Sequence, residues 1–169
     1  ELTGNTSKDN AGAGFAWYDE ASGVASNNTA QNNQLSGFKI SDSALLELTG
    51  NTSNANAEAG FAWYDEASGV VSNNTAQNNS TGFQISGSAL LELTGNTSNN
   101  NTGSGFGWWE QASGVASNNT AQNNQTDGFE IGWSAAPELT GNTSKDNAEA
   151  GFAWYDEASG VVSNNTAQN

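Results

Sequence analysis

Hydrophobic positions recur along the chain with a period of about 23 residues. A Gly-Phe pair begins each copy of the pattern, with the phenylalanines at Phe15, Phe38, Phe61, Phe83, Phe106, Phe129 and Phe152. After each pair, the sequence G-F-x-[WI] alternates apolar and variable positions with period two, which is typical of a β-strand and not of a helix. Stretches rich in Asn and Gly separate these runs and favour turns. The pattern predicts short strands joined by tight corners.

A unit of this length is too short for two packed helices but suits one coil of a β-solenoid. The motif N-T-x-x-x-N marks each coil and begins at Asn5, Asn28, Asn51, Asn74, Asn96, Asn119 and Asn142, with an incomplete copy at Asn165. We therefore predict an all-β fold, a parallel β-helix of about seven coils plus a partial eighth, which forms one solenoid over residues 1–169. Double-coil units lie near 1–46, 47–91, 92–137 and 138–169, and we expect them to belong to a longer repeat array.

Superposing the coils separates the positions that face inward from those that face outward. Two residues after each phenylalanine, Trp and Ile alternate at Trp17, Ile40, Trp63, Ile85, Trp108, Ile131 and Trp154. Three further columns are all alanine from Ala21, mixed aliphatic from Ala25, and small from Ser7. Together these five columns predict a thin continuous core in which a large side chain packs above a smaller one. We expect the columns of Asn5 and Asn10 to form hydrogen-bonded ladders.

The segments G-N-T-S-x-x-N-x-x-x-G-F and S-N-N-T-A-Q-N-N-x-x-x-G-F resemble a known repeat. They are similar to the right-handed parallel β-helix repeat of the pectate-lyase-like superfamily, especially the Asn-rich repeats of NosD-type periplasmic proteins and alginate C5-epimerases. The resemblance covers the whole chain and implies a right-handed helix. It does not imply one activity, because the superfamily includes lyases, hydrolases, epimerases, adhesins and inert spacers.

Composition and charge exclude several kinds of function. Three lysines and 18 acidic residues give a net charge of −15, so we expect no binding to nucleic acid by charge and no membrane span. The chain has no Cys, His or Arg. The resemblance implies a cationic or tyrosine base and cations that face a uronate substrate. Here Lys8 and Lys145 are six coils apart, about 29 Å, and Lys39 is on a different part of the coil. We predict that the chain is not an enzyme.

An aromatic and acidic pattern recurs in every second coil. The candidate carbohydrate-binding residues are Tyr18, Tyr64, Trp109, Tyr155, Asp19, Asp65 and Asp156. Their spacing would be about 9.6 Å, twice the distance between strands, which is close to the length of an extended disaccharide. The alternative is that aromatic residues simply favour strand surfaces and cover a Gly-rich face.

Carboxylates also stack on consecutive coils at Asp19, Asp42 and Asp65. Like charges about 5 Å apart repel, and Ca²⁺ coordinated by their oxygens would relieve that repulsion. The alternative is a solvated acidic face, because the column continues as Gly87, Glu110 and Trp133. We predict no cofactor other than this candidate Ca²⁺.

Asn-x-Ser/Thr sequons indicate sites for glycan attachment in a secretory setting. The candidates that we expect to face solvent are Asn27, Asn73, Asn118 and Asn164.

Uniform coils favour a structural role over an active site. Residues 1–31 and 138–168 differ at only two positions, Gly12/Glu149 and Ala25/Val162. We predict an extracellular or cell-surface structural repeat: a stalk, adhesin shaft or fibre segment. Its partners would be further repeats of the same chain or other copies end to end. The alternative is a carbohydrate-binding solenoid or the scaffold part of a polysaccharide-processing enzyme. A lesser alternative is ice binding by the unbroken threonine column that starts at Thr6.

Overall fold

The computed structural model describes residues 1–168, in which every regular element is a short β-strand and none is a helix. The strands form three sheets, each of which extends along the axis of the solenoid. Every pairing is parallel and joins one coil to the next. The prediction of a parallel β-solenoid of about seven turns with about 23 residues per turn is confirmed.

Each coil contributes one strand to each sheet. The first sheet contains Leu2–Thr3, Ser22–Ser26, Leu45–Thr49, Ser68–Ser72, Leu90–Thr94, Ser113–Ser117, Ala136–Thr140 and Val161–Ser163. The second sheet contains Thr6–Lys8, Thr29–Gln31, Thr52–Asn54, Thr75–Gln77, Thr97–Asn99, Thr120–Gln122, Thr143–Lys145 and Thr166–Gln168. The third sheet contains Phe15–Trp17, Phe38–Ile40, Phe61–Trp63, Phe83–Ile85, Phe106–Trp108, Phe129–Ile131 and Phe152–Trp154.

The strand register places equivalent residues directly above one another. Phe83 pairs with Phe61 on one side and with Phe106 on the other. The seven phenylalanine rings form one interior stack, with neighbouring centroids 4.6–5.0 Å apart and ring planes within 26° of parallel. The 22-residue spacing between Asn74 and Asn96 does not break this stack, since the shorter coil keeps the same pairing.

The five predicted columns all contribute to the core, and the structure adds a sixth. Leu46 and Leu91 are buried on the inner side of the first sheet, where the intervening coils carry glycines such as Gly69. Coils with Ile on the third sheet therefore have Leu or Pro at this position, whereas coils with Trp have Gly. The two columns compensate for each other in volume, which keeps the interior filled. This compensation in volume between two columns was not predicted, because each column was compared only with itself.

Gly precedes every phenylalanine because the next coil leaves no room for a side chain. A Cβ added at Gly82 would lie 1.8 Å from the Ser98 hydroxyl and 2.4 Å from the carbonyl oxygen of Gly105. The φ angle at this position is not in the left-handed region, so the requirement comes from close approach alone.

Two asparagine ladders close the corners on either side of the second sheet, as predicted. In one ladder, the side-chain oxygen of Asn74 accepts bonds from the backbone N–H and side-chain amide of Asn51, at 2.8 and 2.9 Å. The side-chain amide of Asn74 in turn donates to the carbonyl oxygen of Leu48 at 2.9 Å. The second ladder repeats this amide-to-amide pattern, for example from Asn56 to Asn79.

The left-handed conformation falls on the residue just before each ladder asparagine. These residues have φ between 51° and 69° and are Gly4, Asp9, Asn27, Asn32, Gly50, Ala55, Asn73, Asn78, Gly95, Asn100, Asn118, Asn123, Gly141, Asp146 and Asn164. Gly and Asn adopt this conformation at little cost. Corner turning and ladder bonding are therefore divided between adjacent residues, which explains the recurring G-N and N-N pairs.

Buried side-chain polar atoms are almost all bonded. In the described part of the chain, only the indole nitrogens of Trp63 and Trp108 are buried without a hydrogen-bond partner. Both indoles belong to the Trp and Ile column of the core. The unpaired N–H groups oppose stability, whereas the surrounding apolar contacts favour it.

Candidate functional site

The outer face of the third sheet carries the predicted aromatic residues in one line. We call the four rings of Tyr18, Tyr64, Trp109 and Tyr155 the aromatic strip. Each ring follows an inward Trp at the end of a strand. The rings recur in alternate coils, so successive rings are about 9.6 Å apart. Tyr18 and Tyr155, at the two ends of the strip, expose about half of their surface. Tyr64 and Trp109, in the middle, are more buried.

The residue two positions before each central ring is small and buried. A Cβ added at Gly107 would meet the ring of Trp109 at 2.1 Å, which places that ring directly above Gly107. Ala62, two residues before Tyr64, faces outward from the sheet yet is completely buried. The Trp109 ring therefore covers Gly107, and because Trp109 is only half-buried, part of its surface stays accessible to solvent. Flat rings of this kind form platforms on which a planar or apolar ligand face can stack.

A longer polar side chain lies between each pair of rings. Lys39, Gln84 and Glu130 occupy the intervening coils at positions that pair with the small residues under the rings. We call them the spacer row. The ammonium of Lys39 lies 5.8 Å from the ring centroid of Tyr18 and 5.5 Å from that of Tyr64. The chain thus holds one of its three lysines between two aromatic rings.

Carboxylates surround the other end of the strip. Glu130 accepts hydrogen bonds from the indole N–H of Trp109 at 3.3 Å and from the hydroxyl of Ser104. The hydroxyl of Tyr155 donates to Asp127 at 3.3 Å. The strip therefore passes from a cationic spacer at Lys39, through the neutral Gln84, to an anionic spacer at Glu130.

Burial and neighbouring carboxylates raise the pKa of two tyrosines of the strip. The Asp127 carboxylate is the largest cause that raises the pKa of Tyr155 above its usual value of 10.0, followed by desolvation and by Glu130 and Glu149. Burial is the largest cause that raises the pKa of Tyr64, with the Glu58 carboxylate adding to it and the nearby Ser36 hydroxyl opposing it. Burial and nearby negative charge both disfavour the tyrosinate, so each raises a tyrosine pKa.

These shifts predict a loss of stability in alkali. The pKa values of Tyr64 and Tyr155 in the folded state exceed their usual value of 10.0. Their contribution to the free energy of unfolding is therefore fully present below pH 10. As the pH rises further, the unfolded tyrosines ionise first, so the free energy of unfolding falls. Titration of tyrosinate absorbance should show the change Asp127→Asn lowering the pKa of Tyr155 and leaving that of Tyr64 unchanged. Equal titration of Tyr155 with and without Asp127 would contradict this cause.

Three open clefts follow the strip. The first, of about 220 Å³, includes Lys39, Tyr64 and Asp65. The second, of about 470 Å³, lies between Tyr64 and Trp109 and includes Gln84, Glu110 and Trp133. The third, of about 360 Å³, lies between Trp109 and Tyr155 and includes Glu130, Trp133 and Asp156. The arrangement offers stacking surfaces with hydrogen-bond acceptors between them.

The candidate sugar-binding acids lie at one edge of the strip. Asp65 and Asp156 each line one of the clefts. Asp19 is near the end of the strip, next to Tyr18. Four contributors to the strip were not predicted from the sequence. Lys39 lies on a different part of the coil from Lys8 and Lys145, as expected, but its position between two rings was not predicted. Gln84, Glu130 and Trp133 were not among the candidate residues. The alternation of Ala or Gly with a long polar residue, two positions before each ring, was the signal for the spacer row.

The residues with stacked carboxylates, Asp19, Asp42 and Asp65, lie at a corner of the coil. All three residues have φ between 56° and 60°. Asp42 accepts hydrogen bonds from the backbone N–H of Asp19 at 3.4 Å and from the Ser41 hydroxyl at 3.1 Å. No group of three or more metal-ligating side chains converges within residues 1–168. Ca²⁺ binding here stays a prediction.

The other surface predictions concern the first and second sheets. The side chains of Asn27, Asn73, Asn118 and Asn164 are all exposed, and their glycosylation stays a prediction. The threonine column that starts at Thr6 is continuous across the second sheet. The neighbouring Thr and Ser column of the first sheet bonds within itself, as between Thr49 and Ser72 at 3.1 Å. Ice binding likewise stays a prediction.

Comparison with known proteins agrees with this architecture. The family described as a right handed beta helix region matches residues 1–98 and again 64–169, so the chain belongs to the right-handed β-helix family. A crystal structure of a mutant of the periplasmic alginate epimerase AlgG is similar in fold, with a TM-score of 0.70 at 16% sequence identity. The similarity covers 92% of this chain and 47% of that protein, so the chain spans about half the length of its structural neighbour. No curated protein matches the sequence.

Among the residues that the structure describes, none forms a helix long and apolar enough to cross a membrane.

Proposed function

We propose that the chain is a rigid, non-catalytic repeat module of a protein that acts outside the cytoplasm, where it serves as a shaft or spacer. The main support is the uniformity of the coils, because all three sheets keep their register and both ladders connect successive coils. Such a solenoid gains length by adding coils without changing its cross-section. The periplasmic location of the structural neighbour supports placement outside the cytoplasm.

An extended array tests this proposal. Residues 138–168 repeat residues 1–31 almost completely, so residues 1–137 followed by a second whole copy would continue the repeat. We expect small-angle scattering to show a rod lengthened by six coils, or about 29 Å at the usual strand spacing. The cross-sectional radius of gyration should match that of the single copy. Two separate compact bodies, or a thicker particle, would reject the shaft.

The chain's few cations support the absence of catalysis. The chain contains no His or Arg, and Lys39 is already held between Tyr18 and Tyr64. We expect no cleavage or epimerisation of a polyuronate, measured by the proton NMR spectrum of the polysaccharide after long incubation. Turnover above that of a heat-unfolded sample would show that the module is an enzyme.

A second candidate function is carbohydrate binding by the aromatic strip. The observation that favours it is the row of four partly exposed aromatic rings about 9.6 Å apart, in which the Trp109 ring lies over Gly107. A glycan array, followed by titration of the best ligand, tests this function. The triple change Tyr18→Ala, Tyr64→Ala and Tyr155→Ala should abolish binding. Val70→Ala, which alters an exposed residue of the first sheet, should not. Unchanged binding by the triple variant would exclude the strip.

A further inference from the structure

The aromatic strip has three inter-ring positions, the spaces between successive rings. The first, between Tyr18 and Tyr64, holds an ammonium group. The Lys39 nitrogen lies within 6 Å of both the Tyr18 and the Tyr64 centroids, a distance at which a cation is attracted to a ring face. The chain therefore supplies an internal example of a cation bound between successive rings.

The next two inter-ring positions have the same order of ring, spacer and ring, with different spacers. Gln84 lies between Tyr64 and Trp109, and Glu130 lies between Trp109 and Tyr155. The other two lysines, Lys8 and Lys145, are in the second sheet and belong to another face. These two inter-ring positions therefore keep the ring pair but have no ammonium from this chain.

The charges around these two clefts favour a cation. Glu110 lines the cleft at Gln84, and Glu130 and Asp156 line the cleft at Glu130. Asp127 and Glu149 act on Tyr155 at the same end of the strip, where they raise its pKa. The net charge of −15 adds a long-range attraction for a cationic ligand and a repulsion for an anionic one.

We propose that the inter-ring clefts at Gln84 and Glu130 bind the ammonium groups of a linear amino-sugar polymer, each cation lying as the Lys39 ammonium does between Tyr18 and Tyr64. The inference rests on the second candidate function, carbohydrate binding by the strip, and names its ligand class. A polyuronate, which is anionic, would be disfavoured at both clefts.

The aromatic platforms favour a sugar polymer over a basic peptide as the carrier of the charges. Pyranose rings present apolar faces that stack on flat aromatic rings. The two clefts are two coils apart, about 9.6 Å, and this spacing is close to one extended disaccharide. One polymer could then place an amine in each cleft while its sugar rings cover Trp109 and its neighbours.

Titration of the intact chain with three oligosaccharides tests the proposal. The probes are a β-1,4-linked glucosamine hexamer, its fully N-acetylated form and a uronate hexamer of equal length. We expect the glucosamine hexamer to bind about tenfold or more tightly than the acetylated one, which corresponds to the removal of one or two cation–π contacts. The uronate should not bind detectably. The indole N–H signal of Trp109 should shift during the titration, and affinity should fall with added salt.

A charge-matched pair of variants locates the binding. Gln84→Lys places an internal ammonium between Tyr64 and Trp109 and should weaken glucosamine binding about tenfold. Gln77→Lys adds the same charge on the second sheet, in the column where Lys8 and Lys145 occur, and should leave the affinity within about twofold. Circular dichroism would verify that both variants are folded. Equal effects of the two changes would overturn the placement in the cleft.

The other outcomes distinguish a failure of carbohydrate binding from a failure of the ammonium assignment alone. If the acetylated and free hexamers bind equally and both shift Trp109, the strip binds sugars but the ammonium assignment is wrong. If no oligosaccharide binds, the carbohydrate function fails and the ligand class fails with it. If a lysine-rich peptide shifts Trp109 and no amino sugar does, the assignment of a glycan carrier is overturned.

Discussion

Replacing Asn74 with alanine is expected to lower the free energy of unfolding by about 4 kcal/mol. The Asn74 side chain accepts two hydrogen bonds from Asn51 and donates one to Leu48 and one to Asn96. Alanine would leave the backbone N–H of Asn51 and the carbonyl oxygen of Leu48 without these partners, and each buried group left unpaired costs about 1–3 kcal/mol. The side-chain amide of Asn51 would keep its bond to the Ala25 carbonyl oxygen, and the side-chain oxygen of Asn96 would keep its bond from the Asn74 backbone N–H. Urea unfolding followed by tryptophan fluorescence would measure the change.

Asn73→Gly is the matched control. Asn73 is the adjacent asparagine, but it is exposed and has a φ of 55°. Glycine stands at the equivalent positions Gly50 and Gly95 with similar φ angles. We expect a change within about 0.5 kcal/mol, as for most surface substitutions. Similar losses for Asn73→Gly and Asn74→Ala would mean that the ladder contributes no more than the corner does.

Replacing Phe83 with alanine is expected to cost about 5 kcal/mol. The ring is fully buried, with its centroid 4.9 Å from that of Phe61 and 4.6 Å from that of Phe106. Removal of a buried Phe side chain costs about 3–5 kcal/mol through lost transfer energy and the cavity left behind. Loss of stacking on both sides adds to this, at about 0.5–1.5 kcal/mol for each aromatic pair. A typical domain has only about 5–15 kcal/mol of stability, so a large part of the variant population should be unfolded.

Phe15→Ala provides the comparison within the same column. Phe15 is only half-buried and stacks on one further member of the column, Phe38, at 5.0 Å. Its replacement should cost about 2 kcal/mol, because part of the side chain is already in water and less of a cavity forms. Thermal unfolding monitored by circular dichroism should rank the original protein, Phe15→Ala and Phe83→Ala in falling order. A reversed order would indicate that the phenylalanine stack does not stabilise the centre of the solenoid.

The two stability predictions and the binding proposal concern different surfaces of each coil. The ladders and the phenylalanine stack face the interior, whereas the aromatic strip lies on the outer side of the third sheet. Changes in the strip, such as Gln84→Lys, should therefore alter binding while the core remains intact. This separation allows function and folding to be tested independently.

The sequence alone determined the fold and most of the core. Since matching residues of successive coils lie above one another in a solenoid, the spacing of Phe15, Phe38 and Phe61 is enough to predict an interior stack. The same reasoning predicted the ladders of Asn5 and Asn10. Strict periodicity turns a three-dimensional packing problem into a comparison of columns, so these features required no knowledge of how the corners bend.

Only the tertiary structure decided how different columns meet. The exchange of volume between Trp63 and Gly69, and between Ile85 and Leu91, joins the third sheet to the first across the interior. The folding of Trp109 over Gly107 depends on the side-chain rotamer. The position of Lys39 between two rings depends on side chains from three coils. A repeat pattern reports which residues share a column, but contacts between columns depend on corner geometry and side-chain direction, and these are fixed only when the whole coil closes.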